Sequence, residues 1–199
     1  MELTEGFDKK EFSLTPIHVE TIAGYIFISL AETPEPFGDF KAQAEPYLAI
    51  HDLENAKVAI EKHIIEDANW KLVIENNREC YHCNGSHPEL LSSLIEFDDT
   101  TDPRATDEFK ALVNKKAADW DLLGVPHHHI EGGLRNRIVR MPLLDGVVAM
   151  TIDGKRACNK LLGNIPHEDM GSMRFLHLPN SWNHFQGDHL VAFRVLPLV

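Results

Sequence analysis

The reactive side chains of this sequence concentrate in one stretch, NWKLVIENNRECYHCNGSHP, residues 69–88. It holds His82 and His87, the thiols Cys80 and Cys83, and the carboxylates Glu75 and Glu79. Imidazoles close to carboxylates form the commonest kind of transition-metal site. His82 and His87 are five residues apart, and Glu79 precedes His82 by three. On one regular helix the two histidines would point about 140° apart, so a continuous helix does not make them a chelating pair. Glu79 and His82 would be neighbours on one face. Gly85, with Asn84 before it, has the character of a left-handed helix stop. The expectation is a helix from Trp70 to about Cys83, capped near Asp67 or Asn69. A glycine bend then swings His87 back until both rings face a common point, at distances suited to metal bonds of about 2.0–2.2 Å.

Other elements must carry this segment. Residues 17–20 and 25–30 read as two short strands with Gly24 near the turn. The stretch TPEPFGDF, residues 33–40, is rich in turn formers and reads as a boundary. Residues 57–65 read as a strand leading into the motif. Residues 96–107 form an acidic loop with Pro103, and 107–122 a helix. Residues 138–141, 147–152, 173–178 and 190–196 read as strands, with Asp153-Gly154 as a hairpin signal. Strands joined by hairpins with helices kept apart predict an α+β fold built on an antiparallel sheet.

The string ENNRECYHCNGSH resembles the iron-binding signature of the catalytic α-subunit domain of Rieske-type non-haem iron (ring-hydroxylating) oxygenases: a carboxylate, two residues, His, four residues, His. Residues 137–155 and 179–197 resemble later strands of the same domain. Within the family, the closest likeness is to oxygenases that demethylate quaternary amines such as glycine betaine or stachydrine. The resemblance implies a helix-grip-like fold and His82 and His87 as ligands of a mononuclear Fe(II). It implies Glu79 as a catalytic carboxylate that fixes the His82 ring without binding the iron, standing between His82 and a neighbouring subunit's cluster. The reaction would be O₂-dependent hydroxylation or N-demethylation of a small molecule, fed by a reductase or ferredoxin, in a homo-oligomer such as a trimer.

A Rieske [2Fe–2S] centre needs two Cys and two His in paired spacing, and Cys80, Cys83 and Cys158 do not supply it. The family's third iron ligand is an Asp beyond the strand ending near Pro197. The expectation is therefore an internal piece: residues 1–37 the tail of a Rieske domain, residues 38–199 a truncated catalytic domain. The cluster would belong to the full-length protein only, and the piece by itself would be inactive. Asp98, Asp99, Asp102 and Asp188 are the acidic residues that would have to stand in for the missing ligand. Exposed apolar surface is expected around the final strand.

Other readings stand beside this one. Cys80, Cys83 and His87 would hold zinc if a fourth ligand joined them. The two cysteines would otherwise be small packing thiols, since a redox pair precedes a helix and this one ends a helix. A non-catalytic remnant, or a small-molecule-binding module, would use the pocket without iron. His127, His128 and His129 diverge on a loop and read as solvated. Trp182 and Phe185 are either core residues or aromatic faces for a methylated ammonium, with His184 between them.

A formal charge of −12 argues against nucleic acid and anionic membranes, and suits a cationic ligand. The longest apolar run, residues 25–31, is too short to span a bilayer. The start, MELTEGFDKK, lacks a signal peptide's apolar core. A cytoplasmic location follows, and three cysteines without framework spacing suit a reducing compartment.

Overall fold

The computed structural model describes residues 8–95, 100–132 and 136–198. Two strands, β1 (His18–Ile22) and β2 (Tyr25–Ser29), form a hairpin. Helix α1 (Gly38–Ala49) follows, then α2 (Trp70–Asn77), the single turn α3 (Cys83–Ser86) and the long α4 (Asp107–Leu122). The chain ends in an antiparallel sheet of β3 (Ile130–Gly132), β4 (Asn136–Met141), β5 (Ser172–His177), β6 (Ser181–Phe185) and β7 (Leu190–Arg194), paired in sequence order. This is the α+β architecture expected.

Period-two alternation gives the sheet two chemically different faces. Ile138, Met173, Phe175 and Phe185 share one face, and with Ile22, Ala44, Tyr47 and Leu48 they form the main buried cluster. The hairpin and α1 therefore pack on that face. Tyr25 meets Phe175 edge-on at 5.6 Å, and Phe27 lies 5.7 Å from Phe40. On the other face, Val139 and Met141 pack with Ile95 and with Phe109 of α4. The N-terminus of α4 is held by Thr106, whose hydroxyl accepts from the Phe109 amide at 3.2 Å, with Asp107 and Glu108 in the first turn. Its far end buries Trp120 against Val125, Ile165 and Met170. Buried Arg140 ties the layers together, donating to the carbonyls of Pro126 (3.1 Å) and Met170 (3.0 Å). Gly171 enters β5 at φ +63, where a Cβ would sit 2.2 Å from the Met141 carbonyl oxygen, so any side chain would displace β4.

Several expected elements differ. Residues 57–65 form no strand; Val58, Ile60, Ile64 and Ile65 are exposed, and no strand among the described residues pairs with them. Residues 147–152 are turns and bends: Asp153-Gly154 makes a turn, with Val148 N donating to Gly154 O at 2.9 Å, but no strands flank it. Helix α1 begins inside the stretch read as a boundary. The acidic loop lies partly outside the described residues, at 96–99, where Asp98 and Asp99 fall. Val191, Phe193, Leu196 and Leu198 on and after β7 are exposed, as expected of the final strand.

Candidate metal centre

The motif does not fold as one helix. Asn69 caps α2, its side-chain oxygen accepting from the Lys71 amide at 3.0 Å. Helix α2 ends at Asn77 rather than at Cys83. A tight turn follows, with Cys83 N donating to Cys80 O at 3.0 Å, and then α3. Gly85 lies inside that turn with ordinary helical geometry and does not make the bend. The bend is at His87, which leaves the helical region (φ −153, ψ 66). Pro88 is the physical reason, because proline pushes the preceding residue out of the α region. Two breaks, not one glycine, bring the histidines together.

Their rings are 4.9 Å apart between centroids and nearly perpendicular, at 79°. One ligand atom from each of His82, Cys83 and His87 lies within 4.8 Å of the others. Glu79 Oε1 is 2.7 Å from His82 Nδ1, and its Oε2 accepts from the Tyr81 amide at 2.6 Å. Asn76 Nδ2 reaches the same ring nitrogen, but at 3.3 Å. The shorter, charge-assisted contact decides the tautomer: Nδ1 carries the proton and donates to Glu79, leaving the Nε2 lone pair as donor to a metal. The His82 hydrogen bond holds the Glu79 carboxyl below its usual range. His87 Nδ1 is buried with no hydrogen-bond partner. A buried imidazole nitrogen without a partner, facing a second imidazole, is what a ferrous ion would satisfy.

Cys80 and Cys83 are joined as a disulfide, not the free packing thiols expected. Cys80 precedes a helical turn and Cys83 opens it, so the pair does not end a helix. Zinc binding through Cys80, Cys83 and His87 needs thiolates, and a disulfide sulfur is no substitute. The assembled cluster moreover contains His82 and omits Cys80. No carboxylate joins the cluster among the described residues. Asp102 is engaged by Arg104 at 2.7 Å, and Asp188 by the Cys158 amide and the His189 ring, each at 2.8 Å.

A cavity of about 1250 Å³ opens beside the histidines. Its wall is the second face of the sheet, with Arg137, Arg174, Trp182, His184 and Phe193. Trp182 stacks on Phe193 at 4.9 Å and 12°. Phe185, the other aromatic considered for a ligand, is fully buried in the core against His51 at 4.5 Å. Of the loop histidines, His128 and His129 are exposed, while the His127 side chain is only 11% exposed beside Asp121. Sequence reading missed Arg137, Arg174 and Phe193. The available signal was a cation alternating with apolar residues in the strand SMRFLH.

The family model described as "Ring hydroxylating alpha subunit (catalytic domain)" matches residues 53–199. The chain belongs to this family. The glycine betaine monooxygenase oxygenase subunit of Pseudomonas aeruginosa is 60% identical over 99% of the chain and 46% of its own length. That of Chromohalobacter salexigens is 55% identical over 99% of the chain and 44% of its length. The carnitine monooxygenase oxygenase subunit of Acinetobacter pittii is 34% identical over 45% of the chain and 25% of its length. The chain thus spans about half the length of the glycine betaine relatives it matches. The motif Glu79-x-x-His82-x₄-His87 and the strands after it pointed to the right family of ring-hydroxylating α subunits. No helix among the described residues is long and apolar enough to cross a membrane.

Proposed function

We propose that this chain supplies the mononuclear iron site of an O₂-dependent oxygenase that N-demethylates a small quaternary amine of the glycine betaine type. The observation that carries the reading is the pair His82 and His87, converging beside a roomy cavity, with His82 oriented by Glu79. The 60% identity to a glycine betaine monooxygenase subunit supports the substrate class. Iron bound at the two imidazoles supplies dioxygen activation. The protein's own residues do the rest. Glu79 fixes the His82 tautomer and ring plane, the apolar residues Leu94 and Ile95 limit water beside the histidines, and Trp182 with Phe193 offers aromatic faces to methylated nitrogen. Hydroxylation of an N-methyl carbon gives a hemiaminal, which collapses to formaldehyde and the demethylated amine.

In this reading a carboxylate completes the ligand set, and a Rieske [2Fe–2S] cluster of the full-length protein delivers electrons from a reductase or ferredoxin. Residues 1–37 are assigned to the tail of that cluster's domain, and the working assembly is a homo-oligomer, a trimer on the family resemblance. The cytoplasm is the compartment of this reading, although the Cys80–Cys83 disulfide departs from the reduced cysteines expected there.

The test uses the full-length protein with its electron donor. Formaldehyde should appear with O₂ and glycine betaine consumption, and its absence under reducing conditions would refute the reaction. Glu79→Gln separates orientation from ligation. It should keep iron per chain unchanged while turnover drops roughly 10–100-fold, the usual penalty for losing a group that orients a ligand. Loss of most of the iron would instead make Glu79 a ligand.

A further inference from the structure

The disulfide of the motif ties up a donor that stands beside both histidines. Cys83 and His87 are four residues apart on the turn α3, closed by the His87 amide donating to the Cys83 carbonyl oxygen at 3.0 Å. That spacing puts two side chains on one helical face. The Cys83 sulfur and one nitrogen from each of His82 and His87 all lie within 4.8 Å of one another. Bonds of about 2.0–2.3 Å to one ion place neighbouring donors roughly 3–4 Å apart, so a closure of about 1 Å completes a three-donor set. Helix α3 buries only Cys83, so little packing resists that closure.

The sulfur is withheld while the disulfide stands. A thiolate is a strong metal ligand and a disulfide sulfur is not. The Cys80–Cys83 bond also closes a ring around Tyr81 and His82, so one of the two imidazole donors sits inside it. The two sulfurs differ in access. Cys83 is buried, at 2% exposure, Cys80 is only partly buried, and both line the wide cavity. Thiol–disulfide exchange requires a thiolate to reach one sulfur, so attack falls on Cys80. The incoming thiolate forms a mixed disulfide with Cys80, and the electron pair of the broken S–S bond leaves on Cys83. The second thiolate of a dithiol then displaces Cys80. The protein gains two electrons and two protons, and the dithiol is oxidised to its disulfide.

We propose that the Cys80–Cys83 disulfide is a redox gate on the metal centre: opened by a dithiol reductant, it releases Cys83 as a third ligand beside His82 and His87. The inference rests on the reading of those two histidines as metal ligands. Closed, the gate leaves two neutral imidazoles and an open position for a carboxylate or dioxygen. Open, Cys83 gives up its proton to solvent and fills that position with an anionic sulfur, which holds a divalent ion more tightly.

Anaerobic titration with Co(II), a spectroscopic stand-in for ferrous iron, tests this. The protein is titrated in its disulfide form and after reduction by a dithiol that is then removed. Sulfur bound to Co(II) gives an intense near-ultraviolet charge-transfer band that imidazole and carboxylate ligands do not give. The band should be absent from the disulfide form and appear on reduction, with Co(II) affinity rising at least about tenfold. Cys80→Ser, which leaves the Cys83 sulfur unbonded, should show the band without reductant. Cys83→Ser should show none in either state, and Cys158→Ser should behave as the unmodified protein. Absence of the band from the reduced protein or from Cys80→Ser overturns the gate and leaves the two-histidine centre intact. A band in Cys83→Ser or in the disulfide form overturns it too, because the sulfur is then Cys80 or the exposed Cys158. Failure of both redox states to bind Co(II) refutes the metal centre itself, and the gate with it. Where Cys83→Ser does not fold, loss of the band in Cys158→Ser is the overturning result.

Discussion

Replacing His87 with alanine should lower ferrous affinity by roughly two orders of magnitude or more, beyond the 10–100-fold cost of disturbing an outer-shell partner. The cluster has two imidazoles, and the third nearby donor, Cys83, is bound to Cys80. Removing His87 leaves one nitrogen ligand, and one ligand cannot chelate. His82→Ala should have the same effect and also strand the Glu79 carboxylate. Neither change touches a well-packed core position, because both rings are only partly buried. Apo-protein melting should therefore move little. Tyr81, 92% exposed, is the internal control: Tyr81→Phe should leave affinity unchanged. Anaerobic ferrous titration of the three variants is the measurement. Wild-type affinity in His87→Ala would place the metal elsewhere.

Acid should destabilise the fold well above the range where carboxylates titrate. His51, His177 and His184 are held neutral in the native state, mainly by burial, at about 3, 4 and 4 against an ordinary 6.5. On unfolding below pH 6.5 each takes up a proton that the native protein refuses. Their contribution is thus fully present above 6.5 and is lost as pH falls toward the native values. At pH 5 each costs about 2 kcal/mol and the three together about 6 kcal/mol. That is comparable to the whole stability of a typical domain, about 5–15 kcal/mol. Glu79 acts in the same direction but lower, because its depressed carboxyl favours the folded state only above the ordinary 4.5. Urea midpoints at pH 7 and pH 5 check this. Equal midpoints would show that the three rings reach solvent or acceptor groups that stabilise the imidazolium in the native state.

What was readable in the sequence follows from how locally each feature is determined. Helix 107–122 was legible because Thr106, Asp107 and Glu108 mark its start. The strands at 138–141, 173–178 and 190–196 were legible because apolar alternation survives in them. Residues 57–65 alternate as well, yet a strand needs a partner, and sequence pattern does not report pairing. Helix α1 was missed because it opens on Gly38, contains Pro46, and gathers its buried residues Ala44, Tyr47 and Leu48 near one end. The metal motif was legible as a list of residues and not as a shape. Gly85 attracted the bend, while Pro88 imposes it on His87. Arg174 was not legible as part of the cavity wall because its place opposite His184 is set by strand register alone.

The motif segment is anchored differently from the wall it faces. Helix α2 buries only Ile74, α3 only Cys83, and the following 3₁₀ turn (Pro88–Ser92) buries nothing. Strand β5, by contrast, is hydrogen-bonded on both sides. Amide protons there should exchange only through global unfolding, whereas those of residues 70–92 should escape through a cheaper, separate opening, which native-state hydrogen exchange would resolve. With iron held by His82 and His87 that opening would be suppressed, so part of the binding energy would appear as slower solvent exchange in the motif, with exchange in the sheet unchanged.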